Sequence, residues 1–155
     1  MTVQAFWAQF LRNTGRDADT PCPEAFHFEL TERWANELLR LVLAGQKRAT
    51  SSSLTCYELE GERIPAPGDW SIVTDWAGEP HCVIETTRVD ILPFREMTFG
   101  LCSLEGEDDS LDSWRRSHIA FFTAEGKEAG YAFTEDMPVI FEQFRVIYAR
   151  ESPAA

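Results

Sequence analysis

The stretch WSIVTDWAGEPHCVIETTRVDIL, residues 70–92, constrains the fold more than any other. Two runs of strand-like alternation flank the turn residues AGEP, so the runs pair antiparallel. Parallel strands would need a crossover of about a dozen residues or more. PAPGD, residues 65–69, turns the chain into the first run, and Pro93 ends the second. PVIFEQFRVIY, residues 138–148, alternates well enough to supply another strand. The earlier part of the chain has a different period. Val3, Phe6, Trp7, Phe10 and Leu11 recur at helical spacing before Gly15, and Trp34, Leu38, Leu41 and Val42 recur between a capping Thr31 and Gly45. Residues 16–29, with Pro21 and Pro23, read as a loop, and residues 51–60 fit either a short helix or a frayed strand. An acidic loop, GLCSLEGEDDS, leads to Asp109 or Ser110 as the cap of a helix carrying Leu111, Trp114, His118, Phe121 and Phe122. Helices early, strands in the middle and one helix late make an α+β order. The expected architecture is a small, mostly antiparallel sheet or β-barrel flanked by helices, in one domain over residues 1–155. The helices of residues 1–44 pack on the barrel, and residues 151–155 form a loose tail.

Composition narrows the partners. The 155 residues include 26 acids against 14 lysines and arginines, for a net charge of −12. Long duplex DNA needs many phosphate-neutralising cations and is not expected; a small ligand or a short RNA needs only a local positive spot. The four cysteines show no C-x-x-C pair, and the three histidines are scattered, so neither a structural metal nor a cofactor is expected. No apolar run approaches the roughly 20 residues of a membrane span. The N-terminus lacks a signal-peptide pattern, which gives the cytoplasm as the expected location. Oligomeric state is not read from the sequence.

Three stretches hold residues capable of chemistry. Lys47 and Arg48 follow the expected helix end at Gly45, where cations are electrostatically favoured, and Thr50, Ser51, Ser52 and Ser53 follow at once. A lysine beside hydroxyls binds anionic oxygens and, when buried, can act as a base. On the strand of residues 81–92, alternation puts Glu85 with Val83, Thr87, Val89 and Ile91, opposite Cys82, Ile84, Thr86, Arg88 and Asp90. A carboxyl group on that apolar face is protonated, ion-paired, for instance with an arginine, or at a cavity mouth. Glu142 poses the same question on the face of Ile140 and Phe144, but near its strand's start, which favours a partly exposed acid or a partner for a cation. On the late helix, Leu111, Trp114 and His118 share a face with Arg115 beside them. They form either a core edge or a ligand wall of stacking ring, anion fork and proton carrier. The acids from Glu105 to Asp109 orient Arg115 or are solvated.

The helix followed by Gly45-x-Lys47-x-Ala49-Thr50 resembles the signature of the ASCH domain family. PGDWSIVTDWAGEPHCVIETTRV, LEGEDDSLDSWRRSHIAFF and DMPVIFEQFRVIY resemble its YhfF-like bacterial branch, covering nearly the whole chain beyond residue 25. The resemblance implies a PUA-like fold with a cleft near the barrel mouth, and association with RNA or a nucleoside-like ligand. One branch of the family removes an acyl group from N-acetylated cytidine with a lysine, a threonine and a glutamate; other members are proposed ribonucleases. Carried to this chain, the motif gives Lys47 and Thr50 as catalytic candidates, with Glu85 as the third by strand position. Arg48, Ser51, Tyr57, Trp114, Arg115 and His118 are the candidate ligand contacts. The alternatives are a non-catalytic RNA-binding module and a protein-interaction module that uses the acidic loop 105–109.

Overall fold

Two long strands organise the molecule. The structure, a computed structural model, describes residues 1–150; the expected tail at 151–155 lies outside the described residues. The strands and helices, in chain order, are α1 (Val3–Asn13), β1 (Ala25–Phe26), α2 (Glu32–Leu43), β2 (Ala49–Ser53), α3 (Leu54–Glu60), β3 (Trp70–Thr74), β4 (Pro80–Pro93), α4 (Phe99–Cys102), α5 (Leu111–Ala129) and β5 (Pro138–Ala149). β4 and β5 pair antiparallel along almost their full lengths, from Cys82 opposite Ala149 to Pro93 opposite Pro138. β3 adds antiparallel to β4 and β2 antiparallel to β5, while β1 joins β3 in parallel. The resulting five-stranded order is β1-β3-β4-β5-β2. The sheet is mixed and open: β1 and β2 form its two edges and do not meet, so the architecture is α+β with helices around an unclosed sheet.

Local chemistry explains the elements. Thr31 caps α2 by accepting from the Trp34 amide, Ser53 caps α3 through the Cys56 amide, and Ser110 caps α5 through the Ser113 amide. The ambiguous segment 51–60 thus divides at Ser53, which ends β2 and starts α3. β2 itself, ATSSS, carries little strand propensity and is held by its ladder to β5. β1, inside the expected loop, is likewise held from outside, with Ala25 opposite Ile72 and Phe26 opposite Val73.

Helices cover both faces of the sheet. Phe6, Trp7, Phe10 and Leu11 of α1 pack on Ile72 and Val83, while Leu38, Leu39, Leu41 and Val42 of α2 pack with the alternate residues Val73, Cys82 and Ile84. A third cluster joins Trp114 and Phe122 of α5 to Ala49, Phe94, Val139 and Phe141. All four cysteines are free, and among the described residues no helix is long and apolar enough to cross a membrane.

The β4–β5 ladder shifts register twice, between Val83 and Ile84 and between Thr86 and Arg88. Such bulges re-aim side chains. The second brings Thr86 beside Glu142, its hydroxyl donating to the carboxylate at 2.5 Å.

One close approach fixes the segment that carries the acidic loop. Gly106 has φ +72°, and a Cβ there would lie 2.3 Å from the carbonyl oxygen of Gln46, whose side chain also donates to the Gly106 carbonyl at 2.7 Å. Gly106→Ala therefore combines left-handed strain with a backbone clash. The expected loss is about 2 kcal/mol or more, read from the urea midpoint; an unchanged midpoint would show that this approach is not a constraint.

Candidate functional site

Lys47 leaves the end of α2 and turns inward. Its side chain is almost wholly buried, at 2% exposure, and an ammonium so placed needs partners for each proton. Nζ donates to the Ala49 carbonyl at 2.8 Å and to Glu107 Oε2 at 2.6 Å, and it lies 3.6 Å from Glu105 Oε1. Glu105 is equally buried. Its Oε2 accepts from Ser51 Oγ at 2.9 Å and from Trp114 Nε1 at 2.5 Å, and its Oε1 faces His118 Nε2 at 3.4 Å. The other His118 nitrogen, Nδ1, is 2.9 Å from the Trp114 carbonyl, which can only accept. Nδ1 therefore carries the proton of that bond, and a protonated Nε2 would add a second cation to Lys47 against the two carboxylates of this enclosure.

The titration directions follow from that arrangement. Burial alone would raise the Glu105 carboxyl, yet the His118 hydrogen bond and the Lys47 charge outweigh it and hold it down at about 2. Burial opposes the charged form of His118, and the Glu105 hydrogen bond and charge outweigh that burial, so its value is raised. Glu107, with Lys47 as its one close cation, is raised by burial.

The cluster gathers four of the sequence's candidates, Lys47, Ser51, Trp114 and His118, with two acids of the loop, but not in the expected grouping. Ser51, Trp114 and His118 all bind Glu105, and of the three only Ser51 also borders the molecule's open cleft. Trp114 is fully buried, stacked between Phe94 and His118 with ring centroids 5.1 Å and 4.3 Å away. Arg115 pairs with Glu135 at 2.7 Å and lies over Phe94. Arg48 is exposed beside a small hollow between α2 and β5. The expected meeting of Lys47 with Glu85 does not occur. Glu85 accepts from Trp70 Nε1 at 3.0 Å and from Arg145 at 3.2 Å, its cross-strand neighbours in the ladders, on the face that α1 covers. It is the arginine-paired acid of the plainer reading. The acidic loop is not a solvated patch either: of residues 105–109, only Asp109 is exposed.

The hollow of the molecule lies elsewhere. An open cleft of about 850 Å³ runs over the other side of β2, walled by β1, the loop after it, α3 and the start of β3. Thr50 to Ser53 all border it, and alternation along β2 leaves Thr50 and Ser52 partly open while Ala49, Ser51 and Ser53 are buried deeper. Thr50 lies opposite Glu142 in the β2–β5 ladder, and both line the cleft with Thr86 and Tyr57. Burial raises the Glu142 carboxyl; the Thr86 hydrogen bond opposes this, and repulsion from Asp69 adds to it. Burial and the charges of Glu142, Glu24 and Glu62 push the Tyr57 hydroxyl up to about 12. Lys47 does not line the cleft, but Phe28, which does, turns its ring toward Nζ at 5.2 Å from the centroid. Sequence reading set Glu142 aside as a partly exposed acid near a strand start. The signal that could have found it was its place within the strand run that pairs with the hydroxyl-rich segment. Among the described residues no group of three or more His, Cys, Asp or Glu is arranged to hold a metal ion.

Comparison with known proteins adds to this geometry. A family model described as the ASCH domain matches residues 24–148. The crystal structure of an ASCH domain from Lactobacillus crispatus JV V101 superposes with a TM-score of 0.83 at 32% identity, covering 96% of each chain. A crystal structure from Enterococcus faecalis V583, of the DUF984 family, gives a TM-score of 0.86 at 32% identity, covering 94% of this chain and 87% of that one. No curated protein matches.

The buried cluster makes a stability prediction with a sign on each side. His118 has a raised folded value, so its contribution is full below the unfolded value of about 6.5 and is lost as pH rises through the folded value. Glu105 is depressed, so its contribution is full above 4.5 and is lost as pH falls toward about 2. Urea midpoints are expected to fall on both flanks, and His118→Gln to flatten the alkaline flank. Glu105→Gln strands two buried cations on one remaining carboxylate and is expected to cost about 3–5 kcal/mol. A Glu105→Gln midpoint equal to the parent's would refute the cluster's role.

Proposed function

This chain belongs to the ASCH domain family, and from that premise we propose that the cleft over β2 binds a nucleoside-like ligand and hydrolyses an N-acyl group from it. The observation that carries the reading is the cross-strand pair of Thr50 and Glu142 on the cleft floor. Thr50 is the threonine of the family motif. Glu142 takes the role first assigned to Glu85, because it faces the cavity and no cation consumes it, and its raised titration suits proton transfer nearer neutrality.

In this mechanism Glu142 removes a proton from a water molecule held by the Thr50 hydroxyl. The water oxygen attacks the acyl carbonyl carbon, and the carbonyl oxygen gains negative charge. Tyr57, whose hydroxyl keeps its proton up to about 12, donates to that oxygen. The C–N bond then breaks, the exocyclic nitrogen receives the proton from Glu142, and the products are a carboxylic acid and the free amine. Phe26 and Phe28 supply flat apolar walls for the base. Lys47 acts behind this floor: its bond to the Ala49 carbonyl fixes the start of β2 and so the aim of Thr50.

The test is turnover of N4-acetylcytidine. Glu142→Gln is expected to lower kcat by about 10²–10⁴-fold with a folded protein, while Glu85→Gln retains parental turnover. Lys47→Ala is expected to lose stability as well as turnover, because two buried carboxylates lose their cation. Full turnover in Glu142→Gln would overturn the assignment. Saturable binding without product in the parent protein would leave a binding module and remove the hydrolase.

A further inference from the structure

The cleft is charged in a way its shape alone does not require. Seven of its lining residues are carboxylates, and among the described residues that line it the one arginine or lysine is Arg63. Arg63 is exposed, and its guanidinium is committed to Asp69 at 2.9 Å. Lys47, which could have offset the negative charge from behind Phe28, is already consumed by Glu105 and Glu107. The acids converge from separate elements: Glu24 before β1, Glu62 after α3, Asp69 before β3 and Glu142 on β5. Burial raises both Glu62 and Glu142, and repulsion adds to it, from Glu24 and Glu60 on Glu62 and from Asp69 on Glu142. Aromatic rings line the same space, from Phe26, Phe28 and Tyr57. Ring faces and carboxylates are the two surfaces that attract a flat organic cation. A phosphate in this cleft would face many like charges and no free cation.

We infer that the cleft excludes phosphate and holds a flat, positively charged ligand, such as a nucleoside whose base carries a fixed cation, more tightly than a neutral one of the same shape. This rests on the cleft being the ligand site and narrows its ligand class. A phosphodiester chain does not run through it; RNA would be met only through an unstacked, charged base with its backbone outside.

The experiment compares 1-methyladenosine, a cation at pH 7, with its neutral isomer N6-methyladenosine, with adenosine and with adenosine 5′-monophosphate. Binding is followed by amide NMR shifts of Thr50, Tyr57 and Thr86 in the full chain. The cation is expected to bind about tenfold tighter than its isomer. The monophosphate is expected to bind more weakly than adenosine, and both differences should narrow at high salt and in Glu62→Gln. Equal affinity for the two isomers, or tighter binding of the monophosphate, overturns the charge inference and leaves the nucleoside reading standing. Phenyltrimethylammonium separates the remaining cases. If it shifts the same residues while no nucleoside does, the charge inference stands and the nucleoside reading falls. If neither it nor any nucleoside shifts them, both fall.

Discussion

A single buried carboxylate holds this structure's functional half in register. Glu105 reaches β2 through Ser51, α5 through Trp114 and His118, and the end of α2 through Lys47. An isolated carboxylate at that depth would be too costly to keep ionised. Here both oxygens are occupied by donors, two of them cationic, so the charge becomes a tie between elements rather than a defect. The tie has a direction. Because Ala49 packs in the α5 cluster and Ser51 donates to Glu105, Thr50 between them turns the other way, into the cleft.

The consequence is a separation of two acids that look equivalent on paper. Glu105 is surrounded by cations and cannot take a proton near neutrality. Glu142 is buried with a threonine hydroxyl and another acid for company, and leans the opposite way. Environments that push carboxyl groups apart in this manner assign them different work. The motif lysine falls on the structural side of the division. In this chain its charge is spent on the scaffold, and the cavity it borders is left strongly negative.

What could be read from the sequence was what local chemistry encodes. Helical spacing and caps located α1, α2 and α5, and alternation with turn residues located the β3–β4 hairpin and β5. β1 and β2 escaped because nothing local makes them strands: two residues after a proline-rich loop, and a run of alanine, threonine and serines, each held by a partner far away in the chain. The family motif pointed to Thr50 correctly as a residue near the hollow's floor. The face count on β4 put Glu85 with Val83 and opposite Cys82, Ile84 and Thr86, as found; what went astray was taking the more apolar face for the cavity side, since Ile84 and Thr86 border the cleft. The four-residue spacing of Trp114 and His118 was legible as a shared face. Their partner Glu105 was not, since a carboxylate in an acidic, glycine-containing loop looks solvated until the chain folds Lys47 onto it.

The central claim, that one acid is held by cations and the other is left to move protons, is tested most directly by carbon NMR titration of the glutamate side-chain carboxyls between pH 2 and pH 9. The account predicts that Glu105 remains ionised down to about 2, while Glu142 takes up its proton above the ordinary value of 4.5. A Glu142 that titrates at or below that value, or a Glu105 that is protonated at neutral pH, would contradict it.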